Sequence, residues 1–291
     1  MKSIQLELLK DNISTAEKYR GIENLQKRIV SLGAENVVIA AQNNQKITFN
    51  YQGDIKLEAF EKAFMVSGKL EFFEVCLEKE VLVKSLLNLH YKMSGKDSII
   101  SDRIDHKEDN DTFFGMSFAE LGSVFLGTIS EENEEEIIPL LKKASIYVAE
   151  QKKYVKFLLG RKDEKDRYEV YAVYVNKDGK STLDGSYVVA TATEKSLYND
   201  SYNVNIEMDE VGAKIWEELT THVYYTRGNI AVAVDNEVYM APTVSSGGIS
   251  GGFSQISANL NEEEASMLAN AIRLGAIPKV KIISVSTLKP Y

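Results

Sequence analysis

Two hydrophobic periods alternate along the first part of the chain. "SIQLELL" (3–9) switches between apolar and polar positions as a half-buried strand does. Ile22, Leu25, Ile29 and Leu32 then recur at helical spacing and stop at Gly33, a residue suited to a helix C-terminus. "NVVIAA" and "KITFNY" flank the polar "QNNQ" as a hairpin. Leu57, Phe60 and Phe64 mark a second helix ending near Gly68, and "KLEFFEV" follows as a strand. The order is βαββαβ, that of a split-βαβ or ferredoxin-like unit.

Regularity fails between about 84 and 135, where "MSGKDSIISDRIDHKEDNDT" is polar and charge-rich, so a linker or irregular excursion is predicted there. "EENEEEIIPLL" (131–141) lacks the alternating ligands and central glycine of a calcium loop, and its carboxylates read as a solvated helix start. "KYVKFLLG" and "DRYEVYAVYVN" form a further hairpin around a charged connector. From about 200 the first order returns. "YNVNIEM" is a strand, and Val211, Ile215, Trp216 and Leu219 make one helical face with Asp209 as its N-cap. "NIAVAV" and "EVYMAP" turn at Asp235-Asn236, residues that tolerate positive φ. The last helix starts with a capping box, Asn261 and Glu264, and ends at Gly275 and Pro278 before the strand "KVKIISVST". The predicted class is α+β with mainly antiparallel sheets. Two ferredoxin-like units are expected, one at 1–84 and one within 136–291, joined by 85–135 and by the extra hairpin.

Composition narrows the function. The 291 residues are 44% hydrophobic, enough to give each of two domains a core. Against 34 Lys and Arg stand 43 Asp and Glu, a net charge of −9, so no broad cationic surface meets a phosphate backbone and nucleic acid is not an expected partner. The single cysteine, Cys76 in "LEFFEVCL", reads as a buried inert thiol. The sequence predicts neither a membrane span nor a signal peptide: no apolar run approaches the ~18 residues a span needs, and "MKSIQLELLKDN" is short and charged.

"SSGGISGGFSQIS" (245–257) contains a literal G-x-S-x-G, which raises the question of a nucleophile at Ser250. A nucleophile elbow needs a helix directly after the serine and a histidine further along, whereas "FSQIS" intervenes and all three histidines, His90, His106 and His222, precede it. Neither phosphate-loop spacing is present, and no Lys or Arg lies in the stretch. The histidines and the cysteine show no metal-ligand spacing. No catalytic residue, metal site or cofactor is predicted, and the glycines read as shapers of backbone.

The run "IAVAVDNEVYMAPTVSSGGISGGFSQISANLNEEEASMLANAIRLGAIP" closely resembles the signature of SecD and fused SecDF, accessory membrane subunits of the bacterial Sec protein-export machinery. That signature reads roughly A-I-V-L-D-G-x-V-x-S-A-P, then I-x-G-G-x-x-x-I-x-G-x-F-T-x-E-E-A, then L-R-x-G-A-L-P. Val238, Ala241, Pro242, Ile249, Gly251, Gly252, Ile256, Glu263, Glu264, Ala265, Arg273, Gly275 and Pro278 match it. "IENLQKRIVSLGAENV", "VSGKLEFFEV" and "LDGSYVVATA" fit further family segments, and the centre looks most like SecDF proteins of the Bacteroidetes. The chain departs at Asp235-Asn236 for Asp-Gly, at Ala258, Leu260 and Asn261, and at Val280 and "HVYYTRGN".

The resemblance implies the large extracytoplasmic, periplasmic domain between the first two membrane helices, with 1–84 base-like and 136–291 head-like, and it allows the last strand to return to the base. It implies a non-enzymatic role in which the domain binds unfolded preprotein leaving the channel and assists its forward movement. The Sec channel and a SecF-like half would be partners, with no small-molecule substrate. It singles out Pro242, Gly247, Gly248, Gly251, Gly252, Gln255, Arg273, Gly275 and Pro278 as motif positions, acting on the backbone or touching preprotein. Glycine-rich edges and the aromatic strand near 168–174 are candidate contacts. A small-ligand regulatory module of paired ferredoxin-like units is the alternative.

Overall fold

A serine and a glutamate set the start of the first helix. Ser14 accepts from the Glu17 amide, and the Glu17 carboxylate accepts from the Ser14 amide, so the capping box ties both groups down before the apolar stripe begins. The structure is a computed structural model that describes residues 1–9, 14–43, 45–93, 112–120, 122–144, 146–148 and 152–288. The middle of the expected irregular stretch (94–111) lies outside the described residues, as does His106.

In chain order the elements are β1 (Lys2–Leu8), α1 (Thr15–Ser31), β2 (Glu35–Gln42), β3 (Lys46–Gln52), α2 (Leu57–Met65), β4 (Leu70–Glu74), α3 (Lys79–Met93), β5 (Thr112–Phe113), β6 (Met116–Phe118), β7 (Gly127–Ser130) and α4 (Glu131–Lys143). There follow β8 (Ile146–Val148), β9 (Lys153–Gly160), β10 (Arg167–Val175), β11 (Leu183–Asp184), β12 (Val188–Lys195), β13 (Tyr202–Met208), α5 (Glu210–Tyr225), β14 (Ile230–Val234), β15 (Glu237–Met240), β16 (Phe253–Leu260), α6 (Glu262–Leu274) and β17 (Val280–Thr287). The result is a mixed α+β fold with mostly antiparallel sheets. The flanks of the expected linker are ordered: Leu82, Val83, Leu86 and Leu87 bury one face of α3, whose weaker amphipathic pattern hides the helix in the sequence.

Two compact units emerge, and each is discontinuous in sequence. One comprises Met1–Leu70, Gly185–Asp209 and Phe253–Tyr291, the other Glu71–Asp184 and Glu210–Gly252. The first unit carries a four-stranded antiparallel sheet, order β17-β1-β3-β2. The fourth place, which sequence order gives to β4, is taken by β17. The inward residues Ile4, Leu6, Ile47, Phe49 and Tyr51 pack with Ile22, Leu25, Ile29, Phe60 and Phe64 of α1 and α2. The same unit holds a three-stranded sheet, order β12-β13-β16, covered on one face by α6. Val204, Ile206, Ile256 and Leu260 are buried there with Ala265, Leu268 and Ile272.

The second unit is built on the largest sheet, whose path runs β11-β4-β14-β15-β9-β10-β7-β6-β5 with β8 beside β9. Its β15–β9 pair is parallel. Phe73, Val75, Val173, Ala231, Ala233 and Val238 form one of its clusters. Every residue of β14 is buried, the mark of a strand covered on both faces, so its apolar run is continuous rather than alternating.

The second βαββαβ order does not close into one ferredoxin-like sheet. β13 pairs with β12 and β16, the β14–β15 hairpin joins β4 and β9, and β17 pairs with β1. The cause is β16, a strand that alternation did not reveal because Ser254, Gln255, Ser257 and Asn259 dominate it. It occupies the β13 edge that the hairpin would have taken. The hairpin turn itself is as read: Asp235 and Asn236 have φ of 57° and 69°.

Candidate functional site

The glycine-rich segment holds the catalytic-looking G-x-S-x-G, Gly248 to Gly252. It begins on a rail. The Ile230 amide donates to the Pro242 carbonyl at 3.1 Å, and Asn229 Nδ2 donates to the Ala241 carbonyl at 2.9 Å and to Thr243 Oγ1 at 3.0 Å. Thr243 bridges Asn229 and Val244 is buried, so residues 242–244 extend the β14–β15 hairpin. The segment then lies against α5. The Ile249 amide donates to Thr220 Oγ1 at 2.8 Å, and Thr220 is fully buried. A Cβ on Gly248 would sit 2.1 Å from Thr221 Oγ1 and 3.2 Å from the Glu217 carbonyl, so only glycine lets the backbone come this close. Gly251 and Gly252, at φ of 85° and 70°, turn the chain into β16.

Ser250 stands exposed between these bends, and among the described residues no imidazole hydrogen-bonds its hydroxyl. The Nδ1 of His90 accepts the Phe114 amide at 3.2 Å, and the Nε2 of His222 lies 3.3 Å from Glu74 Oε1. Among the described residues no three His, Cys, Asp or Glu side chains converge as metal ligands would.

The remaining motif positions fall in the first unit, where they form two groups. Gln255 lies on the helix-free face of the three-stranded sheet. Its Nε2 donates to Asn205 Oδ1 at 2.7 Å, Asn205 Nδ2 donates to Glu194 Oε2 at 3.1 Å, and Ser257 Oγ donates to Gln255 Oε1 at 2.9 Å, a polar ladder across three strands. Gly275 and Pro278 end α6 against α1. A Cβ on Gly275 would meet Asn24 Nδ2 at 2.5 Å, Asn24 Nδ2 donates to the Ala276 carbonyl at 3.0 Å, and the Pro278 ring packs on Gly21. Arg273 is exposed and donates to its neighbour Asn270 at 3.2 Å. The motif is therefore not one site: 242–252 docks on α5, and 273–278 docks on α1.

Sequence reasoning missed the residue that organises the second group. Arg28 is 1% exposed, and its two terminal nitrogens donate to the carbonyls of Ala63, Val66, Ser67, Ala271 and Gly275, at 2.5–3.2 Å. These carbonyls end α2 and α6, where a cation opposes the negative end of each helix dipole. The signal was available: Arg28 stands three residues after Leu25 and beside Ile29, inside the apolar stripe of α1.

The aromatic strand turns two of its rings inward. β10 lies between β9 and β7, and Tyr171 and Tyr174 are 6% and 8% exposed, so these two are not surface contacts, whereas Tyr168 is half-buried against the core. Burial raises the Cys76 thiol above its ordinary value. Burial, and then its bond to that thiol, raises the Tyr174 phenol, so both stay neutral. Beside them the second unit has a cleft of about 240 Å³, lined by Phe72, Tyr174, Ile215 and Leu219 around Glu74. Lys153 Nζ holds the Glu74 carboxylate at 2.5 Å and lies 5.0 Å over the Tyr174 ring. No helix of the described residues is long and apolar enough to cross a membrane.

Comparison with known proteins places this geometry. Residues 158–279 match the family model of the SecDF P1 head subdomain, a span that draws on both compact units. Protein translocase subunit SecD of Calditerrivibrio nitroreducens is 36% identical over 137 residues, 46% of this chain and 26% of that protein. SecD of Syntrophobacter fumaroxidans is 30% identical over 112 residues, 38% of this chain and 20% of that protein. The chain thus matches about a quarter or less of the length of these relatives. A solved structure described as a membrane component SecDF that enhances protein export aligns over 98% of this chain and 100% of its own, with a TM-score of 0.54 at 18% identity. SecDF in its super-membrane-facing form aligns over 98% of this chain and 30% of its own, again at 0.54 and 18%. These two likenesses speak for the fold.

Proposed function

Because this chain is a relative of the SecD and SecDF export subunits and carries their P1 head subdomain at residues 158–279, we propose that it serves protein export as an extracytoplasmic, periplasmic domain of an inner-membrane translocase subunit. In this reading it binds unfolded preprotein emerging from the Sec channel and assists forward movement, with the channel and a SecF-like half as partners. It performs no chemistry of its own. The observation that carries the reading is the family match across the very segment whose glycines are spent on backbone geometry: Gly248 on α5, Gly251 and Gly252 in the turn. A motif so used supports an interaction domain.

A domain that meets many sequences must recognise what they share, which is extended backbone and apolar side chains. The test is a titration of the chain with a reduced, permanently unfolded polypeptide, followed by amide NMR and crosslinking. Weak, sequence-tolerant binding in the micromolar range is expected. Silence at high micromolar concentration, or a melting temperature raised by amino acids or nucleotides instead, would turn the assignment toward a ligand-binding module.

A further inference from the structure

The contact that such a domain makes with an extended chain has a physical candidate in the first unit. β2 is an end strand, paired with β3 alone in its sheet. Its first residues are closed off: Asn36 takes a φ of 51°, the register shifts between Glu35 and Val38, and Gln26 Nε2 donates to the Val37 carbonyl at 2.7 Å. From Val38 to Gln42 the outer edge continues past this plug, and on either side of a second register shift the amides and carbonyls that β3 does not take are directed away from it. Val38 and Ile39 are 51% and 42% exposed, and Ala40 and Ala41 are exposed beside them.

End strands are commonly protected by lysine, proline, charge or shortness. Most of the others here follow that rule: β17 carries Lys281, β12 ends in Glu194 and Lys195, β8 has three residues, and β5 and β11 have two each; β16 lacks these guards but alternates Ser, Gln and Asn. The one charged residue of β2, Glu35, lies in its closed-off start, so Val38–Gln42 has no lysine, proline or charge. From Asn36 to Asn43 no side chain is charged, in a protein whose net charge is −9. We infer that the β2 edge from Val38 to Gln42 receives an extended, uncharged polypeptide segment as an added strand. The inference rests on the preprotein-binding reading above and names its site and mode. Main-chain hydrogen bonds supply affinity without regard to sequence, and the flanking Val38 and Ile39 favour apolar or β-branched residues opposite them. The charge-free edge matches an uncharged segment. The occupant is a passing chain rather than a second copy of this protein, because so short an edge, interrupted by a second register shift between Ile39 and Ala41, covers far less than the ~1,200 Å² of a stable interface. That shortfall suits a grip that must also let go.

The experiment uses the full chain and a blocked peptide alternating Thr and Val between Gly-Ser ends, with hydrogen exchange read amide by amide. Slower exchange confined to Val38–Gln42 is expected. A copy of the peptide N-methylated on alternate residues should not protect, and Val38→Lys and Ala40→Lys, folded as judged by circular dichroism, should weaken binding about tenfold. Equal protection by the methylated peptide, protection confined to another surface, undiminished binding by both lysine variants, or the same amides protected by self-association without peptide would each overturn the inference. The unfolded-polypeptide titration separates the two readings. If that polypeptide still binds the lysine variants as it binds the parent chain, the edge is wrong and the export role stands; if it binds neither, the export role itself is refuted.

Discussion

Replacing Arg28 by methionine keeps most of the side-chain volume and removes a guanidinium that five carbonyls share. Each hydrogen bond to a charged donor contributes ~1.5–3 kcal/mol, so a naive sum would exceed ~7 kcal/mol. Two facts lower it. The bonds to Ala271 and Gly275 are the longest, at 3.2 and 3.0 Å, and bonds that share one group are not additive. The desolvation already borne by a guanidinium that is 1% exposed also disappears with it. A net loss of about 4 kcal/mol remains, equivalent to roughly 10 °C in Tm for a chain of this size. Arg28→Lys restores the positive charge against both helix ends but only three donors, so it should lose about half as much. Urea unfolding followed by circular dichroism measures both, with an unchanged m-value showing that the folded surface is intact. If Arg28→Met falls within about 1 kcal/mol of the parent, or if Lys is as damaging as Met, the guanidinium is not what joins the ends of α2 and α6.

Three further outcomes follow from particular contacts. Gly248→Ala should cost ~1–3 kcal/mol, because its Cβ would lie 2.1 Å from Thr221 Oγ1, and Thr221→Ala should recover part of the loss in the double variant, measured by thermal denaturation. Tyr51→Phe should be neutral or stabilising, since the buried Tyr51 hydroxyl has no hydrogen-bond partner among the described residues; a loss above about 1 kcal/mol in urea unfolding would reveal a bound water or another partner. Burial raises the Glu237 carboxyl above its ordinary 4.5, with Arg161 opposing the shift and Asp235 adding to it. Its folded state therefore holds the proton more tightly than its unfolded state: below the unfolded value there is no penalty, and stability is lost as pH rises through the folded value. Glu237→Gln should accordingly be the more stable protein near pH 7, with the advantage gone by about pH 3; an advantage that persists in acid would point to packing instead.

How much of this was legible in the sequence depended on whether the signal was local. Capping is local: Asn261 accepts the Glu264 amide at 2.9 Å and the reciprocal bond is also 2.9 Å, as the spacing of those two residues implied. The Asp235-Asn236 turn and the acidic start of α4 were readable for the same reason. Strand partnership is not local. Leu70–Glu74 and Val280–Thr287 both look like strands that close a βαββαβ unit, and nothing in either segment says which sheet receives it. What decides is burial: every residue of Leu70–Phe73 is buried, which demands cover on both faces, whereas β17 keeps Lys281 and Ile283 exposed and suits the end of a sheet beside β1.

The same distinction explains why the motif was recognisable while its division was not. A run of glycines identifies backbone that must bend, but the surface that makes the bend necessary is Thr220 and Thr221 on α5 for one part and Gly21 and Asn24 on α1 for the other. Those partners precede the motif by about thirty residues in one case and about two hundred and fifty in the other, as the Thr220–Ile249 and Asn24–Ala276 bonds make explicit. A resemblance spread over one continuous stretch thus serves two separate packing tasks, and substitutions at its two ends should fail independently. Gly248→Ala should perturb exchange of the α5 amides, and Gly275→Ala, strained at φ of 85° and crowded by Asn24, those of α1. Coupled losses at both places from either change would mean that the stretch is one structural element after all.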